Sequence, residues 1–142
     1  MPRRTDNGAN SRNLLSFVAC PAVKYPITEM RNKERRLSED DADALKTKIR
    51  LIVQVAVANG HDTVIFGAMG CGAWNCPPKH VAEIFKETLQ ELNGILAHYV
   101  FAILTTTEVK DAGDATCAVL FDRPRGKKVA STFSVFSNVC CA

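Results

Sequence analysis

The hydrophobic positions of this chain fall into short blocks that predict alternating strands and helices. Three blocks are apolar runs of strand length: residues 14–20, which end at Pro21, Thr63–Phe66, and His98–Leu104. Continuous apolar character is typical of a strand covered on both faces, so we expect residues 63–66 to be central in a sheet.

Two further blocks have apolar residues three and four positions apart, which predicts helices that bury one face. The first helix begins at Ser38, whose SEDD sequence resembles a capping box, and stops at Asn59-Gly60. Its buried positions are Leu45, Ile49, Ile52, Val53 and Ala56. The second opens at Pro77-Pro78 and ends at Asn93-Gly94. Its buried positions are Val81, Ile84, Phe85, Thr88, Leu89 and Leu92.

This β-α-β-α-β order implies parallel strands joined by right-handed crossovers, which is part of a three-layer α/β/α sandwich. Residues 14–105 form the predicted core, and the charged residues 24–37 within it are expected to be a loop. Residues 1–13 show no periodicity and are interpreted as a disordered tail.

Residues 106–142 form a C-terminal extension with a weaker pattern. Cys117–Phe121 and Val129–Val139 are interpreted as added strands, the second because apolar and polar residues alternate in it. The basic turn between them, residues 122–128, is interpreted as a solvated loop, with a phosphate or nucleic-acid contact as the alternative.

Composition and cysteine usage narrow the class of protein. With 142 residues and 46% hydrophobic content, one domain with a sizeable core is expected. No apolar run approaches the ~20 residues of a membrane span, and no signal-peptide pattern opens the chain, which favours an intracellular, cytoplasmic protein. The six cysteines are scattered, which favours reduced thiols over disulfides, and their spacing matches no zinc-site pattern. No metal or cofactor is therefore expected.

The loop between the second strand and the second helix is the strongest candidate site. Gly67, Gly70 and Gly72 let the backbone approach a ligand, and amides near a helix N-terminus favour an anion such as a phosphate. The alternative is a tight strand-to-helix turn that binds nothing. Glycine-containing loops often connect a strand to a helix without binding a ligand.

Residues 63–92 resemble the second nucleotide-binding loop and following helix of microbial-type poly(ADP-ribose) glycohydrolases, a branch of the macrodomain superfamily. The family carries a GAxGCGxF-type loop ending in a proline, then VAxxFxxxL; here the loop reads GAMGCGAW, followed by Pro77-Pro78, Val81-Ala82, Phe85 and Leu89. A looser likeness covers residues 14–105, where residues 18–22 (VACPA) resemble the family's SPA-type turn.

The chain departs from the family where catalysis resides. The family's catalytic glycine triplet, followed by a glutamine and two glutamates, has no counterpart here, and Gln90-Glu91 lies inside the later helix. The chain thus resembles the C-terminal half of the enzyme, which implies an incomplete sandwich with no assignable catalytic residue. Trp74 stands where the family usually has phenylalanine, and Cys76 where it usually has asparagine.

The resemblance implies that ADP-ribose, or a related nucleotide, binds the loop. The implied binding residues are Gly67, Ala68, Gly70, Cys71, Gly72, Ala73, Trp74 and Asn75. Backbone amides around residues 70–72 would donate to a diphosphate, and Trp74 would face the sugar or base unless it is a core aromatic. Two alternatives remain: part of an active glycohydrolase whose glutamates lie in a missing segment or partner polypeptide, and a structural relic. An uncovered sheet would also promote self-association.

Other chemistry-bearing residues receive structural interpretations. Cys71 could be a thiol activated by the helix N-terminus, but a packing role is favoured. His61, His80 and His98 each lie at a predicted element boundary, which is typical of structural residues. Glu83 and Glu87 are four apart on a helix and are expected to face water.

Overall fold

The computed structural model describes residues 15–103, 117–118 and 132–140, the short strand 117–118 and residues 132–134 by their backbone alone. The elements are β1 (Thr28–Arg31), β2 (Glu34–Leu37), α1 (Glu39–Ala58), β3 (Thr63–Phe66), α2 (Pro78–Glu91), β4 (His98–Ala102), β5 (Cys117–Ala118) and α3 (Thr132–Cys140). The α/β class is confirmed. The predicted tail 1–13 and the basic turn 122–128 lie outside the described residues.

Both predicted helices are confirmed, and α2 ends at Glu91 with Leu92 as its C-cap, before the predicted Asn93-Gly94. The Ser38 hydroxyl accepts a hydrogen bond from the amide of Asp41 at 3.3 Å, which begins α1, and Asn59 with Gly60 at φ +74° ends it. Pro78 opens α2 at its first position, where the absence of an amide is harmless. Of the predicted buried positions, those that are buried are Leu45, Ile49, Val53 and Ala56 on α1 and Val81, Ile84, Phe85 and Thr88 on α2. Ile52, Leu89 and Leu92 are only partly buried, and α2 also buries His80 and Ala82.

Strands β3 and β4 run parallel, as predicted, and β5 pairs in parallel with β4. The register places Phe66 opposite Phe101 on one face of the sheet. Phe85 of α2 packs against both rings, at 5.1 Å between centroids in each case, and Phe136 of α3 adds a fourth ring at 5.6 Å from Phe101. This aromatic cluster is the centre of the core and joins the sheet to two helices.

The prediction that β3 is covered on both faces is wrong for the face that carries Ile65. Val64 and Phe66 are buried, whereas Ile65 is 56% exposed. Among the described strands, β3 also lies at the end of its sheet. An apolar run reveals strand propensity but does not reveal which faces receive a partner.

The strand predicted over residues 14–20 is also wrong for its described part. Residues 15–20 form no strand, and Leu15 and Phe17 are exposed, Phe17 by 91%. The apolar pattern favours a strand, but a strand forms only where an edge pairs with it, and no described strand pairs with this segment.

The charged segment 24–37 is a β-hairpin rather than a loop. β1 and β2 pair antiparallel with Arg31 opposite Glu34, so that Asn32 and Lys33 form a two-residue turn with φ +52° and +65°. Such turns require positive φ at both positions and usually carry glycine at the second. Because Lys33 stands in the second turn position and the strands contain few apolar residues, the sequence pattern does not predict this hairpin.

The strand predicted over residues 129–139 is contradicted by α3, which spans Thr132–Cys140. Phe136 is fully buried, with Val135, Val139 and Cys140 half-buried beside it, a helical spacing of three and four. The same residues also fit an alternating pattern; packing against Phe85 decides between the two. Strand β5 confirms the start of the other predicted strand, and residues 119–121 lie outside the described part.

None of the helices in the described part is both long and apolar enough to cross a bilayer.

Candidate functional site

The loop that follows β3 folds back on itself through its own backbone. The amide of Cys71 donates to the carbonyl of Ala68 at 3.1 Å, and that of Cys76 to the carbonyl of Gly70 at 2.9 Å. Between them, the amide of Asn75 donates to Gly72 at 3.0 Å. The eight predicted site residues, 67–75 without Met69, therefore lie in one compact turn at the carboxyl end of a parallel strand, where open α/β sheets place ligands.

Gly70 is required for the packing of the loop against the preceding segment, and not for contact with a ligand. Its φ is +75°, and a Cβ at this position would lie 2.5 Å from Sγ of Cys76 and 3.4 Å from Cβ of Ala22. Cys76 is buried and its thiol donates to the carbonyl of Val23 at 3.6 Å. Gly70 therefore allows residues 22–23 to pack against the loop, so its Cβ side faces protein.

Gly72 is the glycine with open space. No heavy atom lies within 4 Å of where its Cβ would be, and its φ is not left-handed. Gly67 is intermediate, with the carbonyl oxygen of Ala102 at 4.0 Å. A ligand can therefore approach the backbone most closely at Gly72.

Most of the loop amides predicted as donors remain available. The Cys71 amide is already bonded within the loop, and Pro77 and Pro78 have no amide to offer. The amides of Gly70 and Gly72, and those of Ala73 and Trp74 after them, make no hydrogen bond to any described residue. Two of the three predicted donors are therefore available to an anion, and Cys71 is not.

A cleft of about 300 Å³ lies beside these amides. Its lining residues are Ala73, Trp74 and Asn75 from the loop, and Tyr25, Pro26, Thr28 and Arg35 from the hairpin and the segment before it. The guanidinium of Arg35 donates to the carbonyl of Asn75 and so joins β2 to the loop. The hairpin is therefore the second wall of the site, which the sequence did not reveal.

Two aromatic rings and a cation form one side of the cleft. Tyr25 and Trp74 meet edge to face, with centroids 5.4 Å apart and planes at 88°. The ammonium of Lys24 lies 5.2 Å from the Tyr25 centroid and 5.1 Å from the Trp74 centroid. Trp74 is half-buried, packs against the core and also lines the cleft, so the core interpretation holds in part and the ligand-facing one stays a prediction.

Two cleft residues have a left-handed backbone, Tyr25 at φ +51° and Asn75 at φ +57°. This conformation is uncommon outside glycine and is an outlier for a residue as bulky as tyrosine. Such strain persists where the surroundings fix it, and it concentrates at functional sites.

The cations at the cleft lack the carboxylate partners that other cations have. Arg36 pairs with Glu83 at 2.7 Å, Lys46 with Glu87 at 3.1 Å and Arg50 with Glu91 at 2.6 Å, while Lys79 pairs with Glu34. The expectation that Glu83 and Glu87 face water holds for Glu87, which is exposed, and only in part for the half-buried Glu83. Both carboxylates also pair with cations of β2 and α1.

Across the described ranges, no carboxylate forms an ion pair with Lys24 or Arg35. Asp41 instead accepts a hydrogen bond from the amide of Ile27 at 2.7 Å. Neither Lys24 nor Arg35 therefore has a described carboxylate within ion-pair distance.

The two loop thiols are packing groups. Burial, and then the neighbouring Cys76, raises the pKa of Cys71 to about 12, and burial followed by the charge of Asp41 raises the pKa of Cys76. A thiol with a raised pKa is protonated at neutral pH and is a poor nucleophile. The favoured packing role of Cys71 agrees with this.

His80 ties the hairpin to α2. Its Nδ1 accepts a hydrogen bond from the amide of Leu37 at 2.9 Å, and the ring is buried. Burial, with the nearby charge of Arg36, lowers the pKa of His80, so the neutral ring that can accept this bond is favoured. The sequence placed His80 correctly at a helix start, but its partner lies 43 residues away and left no local signal.

The described part of the chain contains no candidate metal site. No three His, Cys, Asp or Glu residues there form a group that could hold a metal ion. Cys20, Cys71 and Cys76 are free thiols.

No family model, curated protein or solved structure matches this chain.

Proposed function

We propose that this chain recognises ADP-ribose, or a closely related nucleoside diphosphate, at the cleft between residues 72–75 and the hairpin. The carrying observation is the combination of unpaired positive charge, free backbone amides and aromatic rings around one cavity. Each feature suits one part of such a ligand.

The anion-binding part is supported by Lys24, Arg35 and the amides of residues 72–74. Charge-assisted hydrogen bonds to phosphate oxygens are the strongest that such groups form, and arginine matches a phosphate with two parallel donors. Because no described carboxylate forms an ion pair with either cation, an anionic ligand has no ion pair to displace there.

The aromatic part is supported by Tyr25 and Trp74. A cavity of about 300 Å³ lies at the lower end of the range for small-molecule sites, so it fits part of a nucleotide and leaves the rest at the surface. Aromatic side chains provide stacking faces for bases and apolar faces for sugars.

We further propose that the fold is macrodomain-like and that the chain belongs to the lineage of microbial-type poly(ADP-ribose) glycohydrolases. Support comes from the GAMGCGAW loop placed between a parallel strand and a proline-initiated helix. The alternative, an active glycohydrolase whose glutamates come from another segment or polypeptide, predicts binding as well.

Calorimetric titration with ADP-ribose tests the binding function. The Gly72→Val variant should lose at least tenfold in affinity, since its side chain fills the open approach, and should keep the wild-type melting temperature within a few degrees. The matched control replaces Arg123 and Arg125 of the basic turn by alanine and should bind normally. If the arginine changes weaken binding more than Gly72→Val does, the site is assigned to the wrong loop.

Incubation with poly(ADP-ribose) separates binding from catalysis. Cleavage of the glycosidic bond needs a carboxylic acid at the leaving oxygen, and no such group is assigned in this chain. We expect no release of ADP-ribose by the purified chain. Turnover that survives repurification would show that another carboxylate has taken this role, and the absence of both binding and turnover would favour the structural relic.

A further inference from the structure

We infer that the ring pair Tyr25–Trp74 is a nucleobase site, which Lys24 occupies in the ligand-free protein and leaves for the diphosphate when a base binds. This inference rests on the proposed function and adds to it the ligand's chemical class: an aromatic base and a diphosphate in one molecule.

The position of Lys24 is the first support. Its ammonium lies within 5.2 Å of both ring centroids and forms no ion pair with a described carboxylate. Cation–π contacts at exposed positions are weak, so this ammonium is held loosely. A lysine side chain has four flexible carbons, which allows it to follow an incoming anion.

The accessibility of the ring pair is the second support. Tyr25 is 75% exposed although it lies against Trp74, so one face of its ring is free to stack. Its left-handed backbone at φ +51° holds the ring over the cleft before any ligand arrives. A preformed aromatic face reduces the loss of freedom on binding.

The chain connectivity is the third support. Trp74 carries one of the free amides and directly follows Ala73, which carries another. A base on the ring pair therefore places its diphosphate beside these amides and near Asn75, whose carbonyl accepts a hydrogen bond from Arg35 of β2. The displaced ammonium of Lys24 then pairs with the diphosphate. Lys24 thus exchanges its contact with the aromatic rings for an ion pair with a phosphate.

The chain offers a direct probe, because Trp74 is its single tryptophan. Tryptophan emission of the full chain can be titrated with ADP-ribose, adenosine and ribose 5-phosphate. We expect ADP-ribose to change the emission and to bind about tenfold or more tightly than ribose 5-phosphate, since stacking adds affinity that the sugar phosphate lacks. Adenosine should change the emission at millimolar concentration.

Four variants separate the role of the Tyr25 ring from that of the Lys24 charge. Tyr25→Leu should weaken ADP-ribose binding about tenfold, whereas Tyr25→Phe, which keeps the ring, should not. Lys24→Met should weaken ADP-ribose binding several-fold, about three- to tenfold, yet leave adenosine binding equal or tighter because the rings are already vacant. Lys33→Met removes the same charge from the hairpin turn and should change neither. Circular dichroism melting establishes that each variant is folded.

Several results would overturn the inference while leaving the proposed function intact, provided that calorimetry shows ADP-ribose binding. They are equal affinity for ribose 5-phosphate and ADP-ribose, no loss of affinity in Tyr25→Leu, a silent response to adenosine, and a Lys24→Met variant that loses adenosine and ADP-ribose equally. If calorimetry detects no ADP-ribose binding to the wild-type chain, the proposed function and this inference fail together.

Discussion

Replacing Gly70 by alanine should destabilise the protein strongly, whereas the same change at Gly72 should not. The two positions lie two residues apart in one loop and receive the same added methyl group. They differ in backbone conformation, which is left-handed at Gly70 and not at Gly72, and in the atoms around the added methyl group.

Two terms add at Gly70. An L-residue in the left-handed region costs about 1–2 kcal/mol, and the φ here is +75°. The new Cβ would also lie 2.5 Å from Sγ of Cys76, a side chain only 2% exposed that cannot move aside freely. Overpacking of this kind costs roughly 1–3 kcal/mol, so the total is about 2–5 kcal/mol, a large share of a typical stability of ~5–15 kcal/mol.

Neither term applies at Gly72, where the backbone is not left-handed and no atom lies within 4 Å. We expect Gly72→Ala to stay within about 0.5 kcal/mol of the wild type. Urea unfolding followed by circular dichroism measures both values, with equal slopes required for the comparison.

A double-mutant cycle isolates the contact with Cys76. In a Cys76→Ala background the sulfur is absent, so Gly70→Ala should cost only the backbone term of about 1–2 kcal/mol. Equal destabilisation by Gly70→Ala and Gly72→Ala would refute the loop geometry. Equal effects of Gly70→Ala with and without the Cys76 sulfur would refute the steric part alone.

Three further predictions concern titration, thiol chemistry and association. The pKa of His80 is lowered below its ordinary 6.5 in the folded state, so as pH falls the unfolded state becomes protonated before the folded state. The free energy of unfolding should therefore fall as pH decreases below about 6.5. The His80→Asn variant, which keeps an acceptor for Leu37, should lose this part of the pH dependence in paired urea titrations. Because the pKa of Cys71 is about 12 in the folded protein, iodoacetamide at pH 8 should leave this thiol unmodified there and should modify it in urea. Peptide mass mapping measures the modification, and fast labelling of Cys71 in the native protein would contradict the packing role. Ile65, exposed on the strand at the end of the sheet, and the exposed Phe17 should cause self-association at micromolar concentration. A compact monomer in sedimentation, with a cooperative melt, would disprove this.

The elements predicted correctly are those with local signals. Ser38, Asn59-Gly60 and Pro78 set the helix ends through their own backbone preferences, and the structure follows them. The apolar runs at Thr63–Phe66 and His98–Ala102 pair in parallel because the intervening helix imposes a crossover.

The elements predicted wrongly depend on partners distant in sequence. Residues 132–140 fit both a strand and a helix, and the contact of Phe136 with Phe85 selects the helix. The hairpin wall of the cleft is fixed by Arg35 bonding to Asn75, 40 residues away, so Tyr25 and Arg35 carried no sign of a site. The glycine loop can be predicted from the sequence because glycine itself permits the tight turn. The sequence does not predict which loop amides remain without a hydrogen bond, because that depends on how the loop folds.

The central claim is that an anionic aromatic ligand occupies the cleft beside Gly72, and calorimetry with ADP-ribose tests it most directly. The wild-type chain should bind one equivalent, with affinity that falls as salt rises because Lys24 and Arg35 contribute charge. The Gly72→Val variant, folded by its melting curve, should bind at least about tenfold more weakly. Absence of heat for the wild-type chain, or equal binding by Gly72→Val, would contradict the account.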